Sequence, residues 1–141
     1  MSTWILPCCV DENADYYYEI DNAFDKLGTI FWGQSKPITN IAVGDIVYIY
    51  ETSPVKAIVW KCKVLAVDVP YEKTSDIDDS EFGHGNAGIY DSYIKITALR
   101  RYYGESKDKL AYDELCKNGL TTRMQGPFRP NAQLLSYINS I

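Results

Sequence analysis

Along the chain the spacing of apolar and polar positions changes several times, and each change marks an element. Trp4 to Val10 is almost continuously apolar (WILPCCV), the pattern of a short strand buried on both faces. From Asp15 to Leu27 the spacing becomes helical: Tyr16, Ile20, Ala23, Phe24 and Leu27 share one face, and Gly28 fits the C-terminal cap. Ile30 to Trp32 reads as a brief strand running into a Trp32-Gly33-Gln34-Ser35 turn. Gly44 to Glu51 is a strand in which Ile46, Tyr48 and Tyr50 alternate with Val47 and Ile49. Gly44-Asp45 makes a tight entry to it, because Gly tolerates positive φ and Asp bonds its local backbone. Pro54 turns the chain into the longest strand, Ala57 to Val69, with Ile58, Trp60, Cys62 and Val64 inward and Lys61 and Lys63 toward water.

The period is then lost. Pro70 to Asp91 carries acids, glycines and His84, and reads as a long surface excursion of the kind that often carries function. Strand alternation returns over Ser92 to Tyr103, with Ile94, Ile96 and Ala98 inward and Tyr93, Lys95 and Thr97 outward. Lys109 to Lys117 predicts a short helix stopped at Asn118-Gly119. After the turn at Gly126-Pro127-Phe128-Arg129, Pro130 suits the first position of a closing helix through Ile138. Strands and helices do not alternate as they do in a parallel α/β protein. The expectation is an α+β, mostly β fold: a bent, largely antiparallel β-barrel of about five or six strands, with about three surrounding helices near 15–27, 109–117 and 130–139.

Composition narrows this. With 141 residues, 46% hydrophobic and 23% charged, the chain has the material for one globular domain spanning 1–141 and is not globally disordered. Its 12 tyrosines pair large apolar faces with polar tips, which suits half-buried strands and binding grooves. The net charge of −5, from 14 basic and 19 acidic residues, argues against a broad phosphate-gripping face. A local basic patch remains compatible, since acids gather in Asp11–Asp25 and Asp76–Glu81 while Lys61, Lys63, Lys95, Arg100, Arg101, Arg123 and Arg129 lie elsewhere. Cys8, Cys9, Cys62 and Cys116 form no C-x-x-C pair, so a zinc site is not expected, and buried reduced thiols point to a reducing cytoplasm. The opening MSTWILPCCV is too short and lacks the basic flank of a signal peptide, so no membrane association is expected.

No catalytic set stands out. His84, between Gly83 and Gly85, reads as a solvated loop histidine, and Asp78-Asp79 with Glu81 lacks the glycine and spacing of a calcium loop. Walker and G-x-G-x-x-G phosphate loops are absent. Binding chemistry is better supplied. A planar base is held by aromatic faces with amide, hydroxyl or backbone groups at its edge, and Trp32 with Gly33, Gln34 and Ser35 offers such a set. Tyr50, Thr52 and Ser53 offer more at the end of the next strand.

With these residues in view the chain resembles the EVE domain family of PUA-like folds, related to the YTH readers of methylated adenine. The resemblance rests on the opening strand with Trp4, Phe24-x-x-Leu27-Gly28, the Trp32 turn, VGDIVYIY at Val43–Tyr50 and QGPFR at Gln125–Arg129. It implies a small barrel whose pocket accepts a methylated or hydroxymethylated base, in DNA rather than RNA, and a reader rather than an enzyme. Trp32, Gly33, Gln34, Tyr50, Ser53 and Trp4 would form that pocket, with Arg129, Arg123 and Gln125 toward the backbone. Tyr50 and Ser53 are separated by Glu51-Thr52 where the family often reads Tyr-His-Ser, which displaces the serine by one position. The resemblance also implies restriction or defence context, with a fused or associated nuclease or NTPase as partner and this chain as one domain of a longer protein. The alternative on the same barrel is a small-molecule or protein-interaction module with a vestigial pocket.

Overall fold

The computed structural model describes Met1–Ile141. Its elements in chain order are β1 (Thr3–Cys8), β2 (Tyr17–Tyr18), α1 (Ile20–Leu27), β3 (Thr29–Gly33), β4 (Ile46–Glu51), β5 (Ala57–Pro70), β6 (Gly83–His84), β7 (Ser92–Arg101), α2 (Gly104–Lys109), α3 (Tyr112–Lys117) and α4 (Ala132–Asn139). Short 3-10 turns occupy Lys36–Ile38 and Tyr71–Asp76.

Five strands make one sheet in the order β1-β4-β5-β7-β3. β1 and β4 run parallel, while β4-β5, β5-β7 and β7-β3 are antiparallel. The mostly β, mostly antiparallel expectation holds. The closed barrel does not: β1 and β3 are the two edges of the sheet and do not pair with each other. β5 carries the curvature, since its ladders slip register between Ile49 and Tyr50 of β4 and again around Ala66 against β7. Such bulges bend and twist a strand.

The first bulge also sorts side chains between two cores. Opposite Ile49-Tyr50, β5 spends an extra residue, so that Val59 and Trp60 both enter one core while Ile58 enters the other. Trp60, Cys62 and Val64 pack inward as expected, but Ile58 lies across the sheet from them. One core holds Trp4, Leu6, Phe24, Ile30, Val47, Ile49 and Ile96 under α1. The other packs Ile5, Tyr48, Tyr50, Leu110, Leu115, Leu134 and Ile138 beneath the C-terminal helices. The Ile46–Glu51 strand is therefore covered on both faces and not half-buried.

Three further expectations shift. The helix near 15–27 begins only at Ile20, because Tyr17–Tyr18 pair with Gly83–His84 as β2 and β6. The helix near 109–117 becomes two short ones, α2 and α3, broken at Leu110. His84 is not free in solvent: its ring stacks on Tyr17 at 4.4 Å and its Nε2 lies 2.6 Å from Glu19 Oε2. The closing helix is present but begins at Ala132, so Pro130 lies before it and not at its first position; Asn131 is the cap, its side chain accepting from Leu134 N.

Candidate binding cavity

Between the two unpaired sheet edges lies a cavity of about 820 Å³. One wall is the end of β1 and its continuation, Pro7, Cys8 and Cys9, and the other is Phe31, Trp32 and Gly33 of β3. Tyr16 and Tyr18 form the inner side, while Tyr71, Asp79, Ser80, Gly83, Gly85, Tyr90 and Tyr93 close it from the 70–93 segment. Gln125, Gly126 and Pro127 reach it because Phe128 bridges to Ile5, with Ile5 N donating to Phe128 O at 2.8 Å. The cavity occupies the gap that closure of a barrel would have filled.

Trp32 is half-buried, and its ring meets Tyr18 edge-on at a centroid distance of 6.4 Å. The Trp4 and Trp60 indole nitrogens donate to Asp45 and Asp21, whereas the Trp32 nitrogen makes no hydrogen bond within the protein. Gly33 is there for close approach: a Cβ would lie 2.2 Å from the Tyr90 ring, so only glycine lets that ring rest on β3. Tyr90 and Tyr93 meet at 6.1 Å and Tyr71 and Tyr93 at 6.0 Å, an aromatic cluster at the mouth. The Lys95 ammonium sits 5.8 Å from the Phe31 ring on the rim.

The single carboxylate in the lining belongs to Asp79, and Tyr18 donates its hydroxyl to Asp79 Oδ2 at 2.6 Å. Burial, followed by that hydrogen bond, pushes the Tyr18 phenol well up, and burial raises Tyr16 to about 12. Both hydroxyls are thus neutral donors at any ordinary pH. Burial also pushes the Cys8 thiol up, so it stands in the wall as an apolar group and not as a nucleophile.

Of the residues assigned to the pocket from sequence, Trp32 and Gly33 line this cavity, and Gln125, expected to face the nucleic-acid backbone, lines it as well. Tyr50 does not: it is buried in the other core, edge-on to Tyr112 at 6.5 Å. Trp4 is also buried, donating to Asp45 Oδ2 at 3.0 Å, and Arg129 covers its ring at 5.5 Å while donating to Ser2 Oγ. Gln34 is a brace: its Oε1 accepts from Asp68 N at 2.9 Å and from Ser92 Oγ at 3.3 Å, tying β5 to β7. Ser53 and Arg123 are exposed outside the cavity. The basic rim of Lys61, Lys63, Arg123 and Arg129 is absent, since none of them lines it and Lys61 faces a different hollow beside α4.

Sequence reasoning missed Tyr16, Tyr18, Tyr71, Asp79, Tyr90 and Tyr93. Tyr16 and Tyr18 are hidden by a helical spacing that the chain does not use there, and the others lie in or just past the segment without period. The high tyrosine count was the available signal, as five of the 12 line the cavity. Asp45 is a second omission of scale. Burial disfavours its charge, but hydrogen bonds from the Ser2 and Ala42 amides and the Trp4 indole hold its carboxyl below the usual range. It fixes β1 against the Gly44 turn.

A separate hollow of about 330 Å³ lies beside α1, lined by Asp21, Asp25, Glu51 and Arg101 among others. Glu51 is 2% exposed and its Oε2 has no partner. Burial, then a hydrogen bond to Asp21, raises its carboxyl to about 9, so at neutral pH it is protonated and donates to Asp21. Arg101 is paired with Asp21 and Asp25, both at 3.2 Å.

Neither a family model nor a curated protein sequence matches the chain. Solved structures do. A protein from Pseudomonas putida is similar over 99% of this chain and 98% of its own, at 15% identity and a TM-score of 0.64. The DUF55 domain of human thymocyte nuclear protein 1 is similar over 99% and 97%, at 11% identity and 0.63. The ASCH protein of Zymomonas mobilis is similar over 99% and 95%, at 13% identity and 0.59. At these identities the likeness concerns the fold alone, which this chain shares with the ASCH protein and the DUF55 domain.

Proposed function

We propose that this chain is a non-catalytic nucleic-acid-binding module that takes a single modified base into the cavity beside Trp32. The observation that carries the reading is an aromatic cavity between two strand edges, with a half-buried tryptophan whose indole nitrogen is unpaired. Stacking contributes about 1–3 kcal/mol per base, enough to offset much of the few kcal/mol needed to unstack one. A methyl group on the base buried against the apolar lining would add about 0.8 kcal/mol. The exposed Tyr71 and Tyr90 rings would take neighbouring bases of a single strand.

The lining without lysine or arginine favours a second reading, in which the ligand is a free planar molecule such as a nucleoside. A binding screen separates the two. Oligonucleotides carrying unmodified bases, N6-methyladenine, 5-methylcytosine or 5-hydroxymethylcytosine are titrated beside the corresponding nucleosides. The module reading expects a modified strand to bind more tightly than its unmodified counterpart and than the nucleoside. Equal affinity for nucleoside and strand favours the second reading, and no binding to either sinks the first.

A further inference from the structure

The polar side of the cavity is asymmetric. Its wall carries aromatic rings and thiols with Ser35, Ser80, Asn86 and Gln125 as neutral polar side chains, and its one charged group is the Asp79 carboxylate. Tyr18 connects that carboxylate to the stacking residue: its ring touches Trp32 edge-on at 6.4 Å and its hydroxyl donates to Asp79 Oδ2 at 2.6 Å. The carboxylate is also fixed from its own backbone, since Phe82 N donates to Asp79 O at 2.9 Å. Oδ1 makes no hydrogen bond within the protein, and a carboxylate oxygen only accepts.

We propose that Asp79 reads the exocyclic amino group of the base, so that the ligand class is an amino-bearing base (cytosine-, adenine- or guanine-type) and not thymine or uracil. This rests on the base-binding reading of the same cavity. An amino group presents an N–H to Oδ1, whereas the O4 carbonyl of thymine or uracil would set oxygen against oxygen. Asp79 is half-buried, so the discrimination comes from the contact itself: an N–H donor gains a hydrogen bond to a charged acceptor, whereas a carbonyl oxygen set against the carboxylate is repelled. N6-methyladenine keeps one N–H and 5-methylcytosine keeps two, so both modifications remain readable. N6,N6-dimethyladenine keeps none.

The polarity of this contact is set by Tyr18. In Asp79→Asn the Tyr18 hydroxyl still has the amide oxygen to donate to, which turns the amide NH2 toward the base. The site then offers a donor where it offered an acceptor, and thymine becomes the better partner.

The test uses fluorescently labelled oligothymidylate nonamers with one central position varied: thymine, cytosine, 5-methylcytosine, N6-methyladenine, N6,N6-dimethyladenine or an abasic residue. Wild type should bind central 5-methylcytosine and N6-methyladenine about 10- to 100-fold more tightly than central thymine or N6,N6-dimethyladenine. D79N should lose that preference or reverse it toward thymine. If every base binds equally and all bind better than the abasic strand, base binding stands and amine reading by Asp79 is overturned. If no base outbinds the abasic strand, both readings fall. The wild-type series decides the base class even if D79N does not fold.

Discussion

At the scale of single residues, three tryptophans of similar sequence context divide into two jobs by what their indole nitrogens meet. Trp4 and Trp60 are locked by Asp45 and Asp21, and Trp32 is left half-buried against the cavity. Trp32→Ala should therefore weaken binding of a modified-base oligonucleotide by about 1–3 kcal/mol while moving the melting temperature little. Calorimetric titration and a thermal melt on the same sample check both halves; a large fall in melting temperature would place Trp32 in the core instead. Glu51 gives a residue-scale prediction of another kind. Its folded-state carboxyl lies near 9 against an ordinary 4.5, so between those values the native protein holds a proton that the unfolded chain has lost. The stabilisation is complete below about pH 4.5 and disappears as pH rises through 9, with a slope of at most about 1.4 kcal/mol per pH unit. Glu51→Gln keeps a donor for Asp21 without that titration, so urea unfolding between pH 5 and 9 should give a flatter stability profile than the parent. Parallel profiles would show that Glu51 is charged in the native state.

At the scale of elements, the bulge in β5 decides which residues matter to which core. Trp60 packs on Phe24 at 4.8 Å, donates to Asp21 at 2.7 Å and lies under Arg101 at 5.2 Å. Trp60→Ala should cost about 3–5 kcal/mol, measured by denaturant midpoint, since it empties a large aromatic site; a cost below about 1 kcal/mol would mean that α1 is not clamped through this ring. The strands themselves were legible, because a period of two is a direct consequence of the pleat: β4 alternates between the two cores, and β5 over Lys61–Leu65 and β7 over Tyr93–Thr97 alternate between core and surface. What the pattern conceals is phase. A one-residue slip reverses the faces, so Ile58 and Trp60, two apart and both apolar, end in different cores. Tyr16 shows the matching failure for helices: its spacing from Ile20 fits a helix, but Tyr17 and Tyr18 pair as β2 with Gly83–His84 and the helix starts only at Ile20. That pairing joins segments 65 residues apart and carries no local signal.

At the scale of the molecule, the sheet curls but stops short of closure, and the unclosed edge is where the cavity lies. A barrel reads naturally from alternating strands, because nothing in a strand's pattern says whether its outer edge finds a partner. The site was legible in its anchor and not in its walls: Trp32 and Gly33 stand out beside a turn, while Asp79 and the mouth tyrosines depend on how 70–93 folds back over β3. The absence of lysine and arginine from the lining, with a net charge of −5, makes a further prediction. Each phosphate neutralised on a single strand contributes about −0.7 to the slope of log affinity against log salt. The slope here should be shallow, about −1, and one steeper than about −3 would reveal a basic face that contacts several phosphates.

The most direct test of the central claim follows the three indole N–H resonances by NMR, assigned with Trp32→Phe, during titration with a single-stranded oligonucleotide bearing one central 5-methylcytosine. The same titration is repeated with an abasic residue at that position. A base stacked on Trp32 should move the Trp32 signal alone, with saturation at one strand per protein, and the abasic strand should leave it nearly unmoved. A Trp32 signal that stays fixed while the strand binds, or that moves equally with the abasic strand, would contradict a base stacked in this cavity.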